Sequence, residues 1–191
     1  MRSIANFGTA HKGWHSRGYL PHFDSAETLQ FVTYRLADSL PRAVAEELAN
    51  VPGHLAETDR RLDSGLGSCW LLDPQIATMV EDSLLHFDGE RYRLIAWCVM
   101  PNHVHTVLMP LDGHTLGAII QTWKSFSAKH ANRLLRRSGR FWHKDYFDRF
   151  IRDEGHLERT ISYIENNPVK AGLASSATEW RWSSGRLRAA A

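Results

Sequence analysis

The chain has 191 residues, 43% of them hydrophobic and 23% charged, with a net charge of +2 and only two cysteines. That is enough for one domain with a substantial core, and the composition is that of an ordinary globule. It excludes a membrane span, which needs roughly 18–20 uninterrupted apolar residues, and Cys69 and Cys98 fit neither a disulfide framework nor a zinc finger. The segment Met1 to Leu20 lacks an apolar signal-peptide core, so a reducing, cytoplasmic setting is expected.

In chain order, Leu29 to Leu36 is rich in β-branched and aromatic residues and predicts a strand. Ser39 and Pro41 precede a helical run from Arg42 to Ala49. Residues 50–72, with Pro52, Gly53, Gly65 and Gly67, predict an irregular insertion. Asp73 caps a helix with Pro74 at its first position, running to about Phe87 with Ile76, Val80, Leu84 and Phe87 on one face. Two apolar segments, Leu94 to Met100 and Val104 to Met109, flank Pro101-Asn102 and predict a pair of strands with a tight connection. A long helix starts at Thr115 and is expected to end at Ser138-Gly139. A short strand from about Tyr146 to Arg152 follows, then a helix from about Glu154 to Asn167, stopped by Pro168. Trp180 and Trp182 in the tail are expected to pack against the body. The order β-α-α-β-β-α-β-α predicts a single α+β domain over residues 1–191, a ferredoxin-like antiparallel sheet with helices packed mainly on one face.

Charge is unevenly distributed along this order. Residues 38–90 hold eleven acidic side chains against Arg42, Arg60 and Arg61, whereas residues 116–152 hold nine basic ones against Asp145 and Asp148. Solvated helix faces account for part of this. The basic half is also interleaved with Trp123, Phe126, Phe141, Trp142, Tyr146 and Phe147, as a nucleic-acid groove requires: cations for phosphates, flat rings for unpaired bases.

The run Met100-Pro101-Asn102-His103-Val104-His105 carries the strongest chemical signal. Residues two apart on a strand share a face, so His103 and His105 point together while Val104 points toward a core. Such a pair reads either as a metal chelate or as two half-buried histidines at a strand start. In the last helix Leu157, Ile161 and Ile164 form a core stripe, Tyr163 lies off its centre, and Asn167 follows one turn later. Taken alone, Tyr163 reads as a packing residue and Asn167 as a C-terminal cap.

Together these blocks resemble the single-tyrosine HUH transposases, and within them the REP-associated tyrosine transposases. The residues that carry the likeness are His103-Val104-His105, the helix Tyr163-Ile164-Glu165-Asn166-Asn167-Pro168-Val169-Lys170-Ala171-Gly172-Leu173, and Phe31-Val32-Thr33-Tyr34-Arg35-Leu36. The resemblance implies the HUH endonuclease fold, with His103 and His105 as metal ligands, Tyr163 as nucleophile and Asn167 completing the metal site where mobile transposases carry Gln. It implies a divalent ion, Mg²⁺ or Mn²⁺, and cleavage of single-stranded DNA beside a hairpin through a covalent 5′-phosphotyrosine. It also implies an N-terminal DNA-reading arm (about 1–25), with Arg17, Tyr19 and His22 in it, and sets apart a helical or irregular insertion (about 40–88). Lys124, Lys129, Arg136, Arg137, Arg140 and Lys144 are the expected phosphate contacts. The expected partner is hairpin-bearing single-stranded DNA in the nucleoid, with no membrane, and the protein is a monomer or homodimer.

Two other classes are weighed against this one. A barrel metal hydrolase built on His-X-His wants about 250 residues and an alternating β/α order that this chain lacks. A non-catalytic DNA-binding module that keeps the fold is separated from the enzyme by whether a covalent protein–oligonucleotide band forms on a denaturing gel.

Overall fold

The two apolar runs around Pro101-Asn102 build the centre of the fold. The computed structural model, which describes residues 13–16, 21–41, 44 and 55–190, joins β4 (Tyr92–Val99) and β5 (His103–Pro110) as an antiparallel hairpin. On the other side of β5 lies β3 (Gln30–Arg35), and beyond it β6 (Phe147–Phe150). The sheet order is β4-β5-β3-β6, and every neighbouring pair is antiparallel. A separate two-stranded ribbon pairs β1 (Gly13–Ser16) with β2 (Pro21–Asp24). The expected helix over 42–49 lies outside the described residues except for Val44, which is helical.

The period of two divides the sheet into two faces. Val32, Tyr34, Val104 and Leu108 point to one side, into the larger core, and meet α2 (Pro74–Leu85) and α3 (Leu116–Leu134). Phe31, Ala96, Cys98 and Val107 point to the other, against Ile164 of α4 (Glu154–Lys170). In β4 a bulge between Leu94 and Ala96 switches the parity, so that Tyr92 and Leu94, then Trp97 and Val99, all reach the same core. The antiparallel α+β architecture is thus as expected, with two of the three sheet-packed helices on one face and α4 alone on the other.

Local chemistry sets the helix boundaries. The Asp73 side chain accepts from the backbone N–H groups of Gln75 and Ile76, and Pro74 occupies the first turn. Thr115 caps α3 by accepting from Ala118 N. That helix stops at Leu134, short of Gly139, because Arg136 turns left-handed (φ 49°) and its N–H and that of Arg137 close onto Arg133 O and Asn132 O.

Two further expectations fail. Residues 50–72 are not wholly irregular: they contain α1 (Leu55–Asp63) and a 3₁₀ turn at Trp70–Leu72. Pairs Glu57–Arg60 and Glu57–Arg61, three and four residues apart, support α1 against a glycine- and proline-rich background. Nor does Pro168 stop α4, which runs through it to Lys170 with Asn167 and Pro168 both buried. Proline near the last turn forfeits one backbone bond. Gly172 (φ 70°) supplies the true end, with Gly172 N and Leu173 N donating to Val169 O and Pro168 O.

The tail seals the outer edge of β4. Trp182 O accepts from Val99 N, Trp180 Nε1 donates to Val99 O at 2.9 Å and Trp182 Nε1 to Thr78 Oγ1 at 3.1 Å. Among the described residues no helix is long and apolar enough to cross a membrane.

Candidate active site

The pleat of β5 delivers His103 and His105 to the face covered by α4, and both are fully buried. Asn102 orients the first ring. Its amide nitrogen donates to Leu62 O and Leu66 O, so its oxygen is the acceptor for His103 Nδ1–H at 2.7 Å. This leaves His103 Nε2 as a bare lone pair. On the paired strand, Thr33 Oγ1 lies 2.7 Å from His105 Nδ1, and the two Nε2 atoms face each other at 3.0 Å. Burial holds both imidazoles below their ordinary pKa, and for His103 the neighbouring His105 adds to the effect, so both are neutral at pH 7.

Asp63, the last residue of α1, brings Oδ1 to 3.6 Å from His103 Nε2, and the ligand atoms of Asp63, His103 and His105 lie within 4.8 Å of one another. Asn167 completes the ring of donors: with its amide turned as its neighbours require, the nitrogen donates to the Asp63 carboxylate at 3.2 Å and the oxygen faces His105 Nε2 at 2.8 Å. Burial and the nearby Asp59 push the Asp63 carboxyl up to about 6, opposed by Lys170 and Asn167. The donor set suits a divalent cation. Two nitrogens bound at about 2.0–2.1 Å to one ion stand about 3 Å apart when at right angles, and a carboxylate and an amide oxygen supply hard ligands.

Tyr163 projects from α4 beside this cluster. Its ring packs edge-on to His105 and Phe31, with centroids 5.6 and 6.2 Å away, and Lys170 Nζ lies 4.6 Å from its centroid. Its hydroxyl donates to Asp59 Oδ2 at 2.9 Å. Burial and the charge of Asp59 raise the phenol well above its ordinary pKa, so the hydroxyl is protonated at rest. The tyrosine meets the histidine pair of its own chain.

His103, His105, Tyr163 and Asn167 therefore converge as one group, but the expected phosphate contacts do not join them. Lys124, Lys129, Arg136, Arg137, Arg140 and Lys144 belong to α3 and the segment after it, and α3 packs on the opposite face of the sheet. Lys124 is a staple, donating to His143 O and Lys144 O, and Arg137 donates to Arg140 O. His22 is fully buried, bonded to Asp148 and, at 3.1 Å, to Asp145, so its ring anchors β2 in this structure. Arg17 and Tyr19 lie outside the described residues.

Sequence reasoning missed Asp59 and Asp63. The only signal was their i, i+4 spacing, and in a region with eleven acidic residues that spacing does not stand out.

An antiparallel sheet that presents a buried His-X-His pair to a tyrosine-bearing helix defines the HUH class of fold. Residues 75–167, which include His103, His105, Tyr163 and Asn167 but neither Asp59 nor Asp63, match the family described as "Transposase IS200 like". Over this segment the chain is similar to the IS200-like transposases. A Haemophilus influenzae protein described as a "Putative REP-associated tyrosine transposase" is 25% identical over 103 residues, and the match covers 49% of this chain and 58% of that protein's length. A solved REP-associated tyrosine transposase bound to a REP hairpin shares the fold, with a TM-score of 0.61 at 18% identity over 88% of this chain and 83% of that one.

Proposed function

We propose that this protein is a divalent-metal-dependent endonuclease and strand transferase for single-stranded DNA beside a hairpin, working through a covalent 5′-phosphotyrosine. The observation that carries the reading is the Tyr163 ring packed against His105, one of two neutral imidazoles whose Nε2 atoms converge with Asp63 and Asn167. The hairpin-bound relative of the same fold supports the choice of substrate.

In this reading His103, His105, Asp63 and Asn167 hold Mg²⁺ or Mn²⁺, which when bound polarises the phosphoryl oxygens. Tyr163 Oη attacks phosphorus in line, the Oη–P bond forms as the P–O3′ bond breaks, and the departing oxygen takes a proton to become a 3′-hydroxyl. Asp59 Oδ2, already the acceptor of the phenol hydrogen bond, takes the tyrosine proton. The phosphotyrosine conserves the energy of the broken bond, so the same residues run in reverse rejoin a strand without a nucleotide cofactor. Residues 1–25 serve as a DNA-reading arm, and the insertion over 40–88 contributes α1 with Asp59 and Asp63.

A denaturing gel tests this. Wild-type protein with Mn²⁺ and a hairpin-bearing single strand should give a covalent band that Tyr163→Phe abolishes. A protein that only binds DNA gives no band.

A further inference from the structure

The edge strand β6 contributes to the active-site face as well as to the sheet. Its register pairs Phe147 with Thr33 and Arg149 with Phe31, so both side chains point the same way as His105. Facing them across an open cleft of about 1060 Å³ are α1 and α4, with Asp63 and Tyr163 on its wall. The cleft opens directly onto the nucleophile and exceeds what a single small ligand needs. Phe147 is half-buried and sits edge-on to Phe31 at 6.2 Å. Arg149 and Arg159, from β6 and α4, are exposed on its lining, and among the described residues neither forms an ion pair.

We infer that this cleft holds the unpaired nucleotides next to the scissile phosphate, with Arg149 and Arg159 on the phosphates and Phe147 under a base. The inference rests on Tyr163 being the nucleophile, and it relocates the strand path from the basic helix α3 to the opposite face. A guanidinium fork suits a phosphate in two-point contact. An aromatic ring on the same lining suits a base freed from pairing, since stacking on it is tolerant of sequence. A base inside a duplex has both faces covered by its stacked neighbours and none free for Phe147, so the ligand is single-stranded.

The test is fluorescence anisotropy of the Tyr163→Phe protein with labelled oligo(dT), run as a salt series, alongside a blunt hairpin with no overhang. Arg149→Ala and Arg159→Ala should each weaken oligo(dT) binding roughly tenfold and flatten the log–log salt slope by about 0.7, the share of one phosphate that is no longer neutralised. Phe147→Ala and the volume-preserving Phe147→Leu should weaken it to a similar extent with the slope unchanged. Hairpin binding should not change in any of them. Unchanged oligo(dT) affinity and slope in the Arg149→Ala/Arg159→Ala double variant overturns the assignment, as does equal weakening on the blunt hairpin. The outcomes separate from the nucleophile reading: a wild-type protein that forms no adduct defeats that reading, whereas adduct formation with indifferent cleft variants defeats this one.

Discussion

The hydroxyl of Tyr163 donates a 2.9 Å hydrogen bond to Oδ2 of Asp59, a residue 104 positions earlier in the chain. The bond fixes the rotamer of the side chain, and in the proposed reaction it gives the phenol proton an acceptor within hydrogen-bond reach. It also keeps the tyrosine protonated at rest, since burial and the Asp59 charge both disfavour a phenolate.

Asp59→Asn leaves an oxygen to accept the hydroxyl but no base to take its proton. Cleavage should fall by about 10²-fold or more, with oligonucleotide affinity no weaker. A variant that cuts at the wild-type rate dismisses Asp59 as the proton acceptor. Tyr163→Phe should abolish both cleavage and adduct while costing about 1–2 kcal/mol of stability for the missing hydrogen bond. Mass spectrometry of a trapped wild-type adduct should place the nucleotide on the peptide containing Tyr163.

Replacing His103 or His105 with Ala should remove metal-dependent cleavage with the fold retained, which circular dichroism and a metal titration can follow. Asn167→Ala should be milder. Its amide oxygen is one donor of four, so added Mn²⁺ should restore part of the activity. Equal cleavage by wild type and both histidine variants would exclude the metal centre.

Acidity should act on this centre through Asp63, whose carboxyl sits at about 6. A cation needs the carboxylate, so metal affinity should be nearly level above pH 6 and fall as pH drops through it. The histidines, held below their usual range by burial, stay neutral there. Metal-free stability has the opposite sign. Between 3.8 and about 6 the folded chain binds more protons at Asp63 than the unfolded chain, so the stability this group contributes is present at low pH and lost as pH rises through that window. Calorimetric metal titrations from pH 5 to 8 on wild type and Asp63→Asn check it; the variant should bind more weakly and show no break near 6.

Exposed basic residues on α3 and after it lie across the sheet from Tyr163. Neutralising Lys129, Arg136 and Arg140 should therefore lower affinity for hairpin DNA in a salt-dependent way, while the single-turnover rate at saturating DNA stays the same. A fall in that rate would put these residues at the scissile phosphate after all.

Much of the fold was legible because periodicity and caps are local. Asp73-Pro74 and Thr115 mark helix starts through side-chain bonds to residues two or three positions away. The runs around Pro101-Asn102 are almost continuously apolar, as strands buried on both faces are. Pro168 misled for the same reason: its local effect is to end helices, but burial of Asn167 and Pro168 holds the turn until Gly172 closes it.

By itself the sequence determined the order of the four sheet strands and of α2, α3 and α4, the shared face of His103 and His105, and the one-turn spacing of Tyr163 and Asn167, because each follows from a repeat of two or 3.6 residues. Only the tertiary structure decided which distant groups meet these residues. It seated Asp59 and Asp63 of α1 beside the tyrosine and histidines, buried His22 between two carboxylates, and put the basic helix on the far face, with Arg149 and Arg159 on the near one. Those choices depend on which side of a shared sheet each helix packs, and that side is set by burial summed over the whole core rather than by any local pattern of residues.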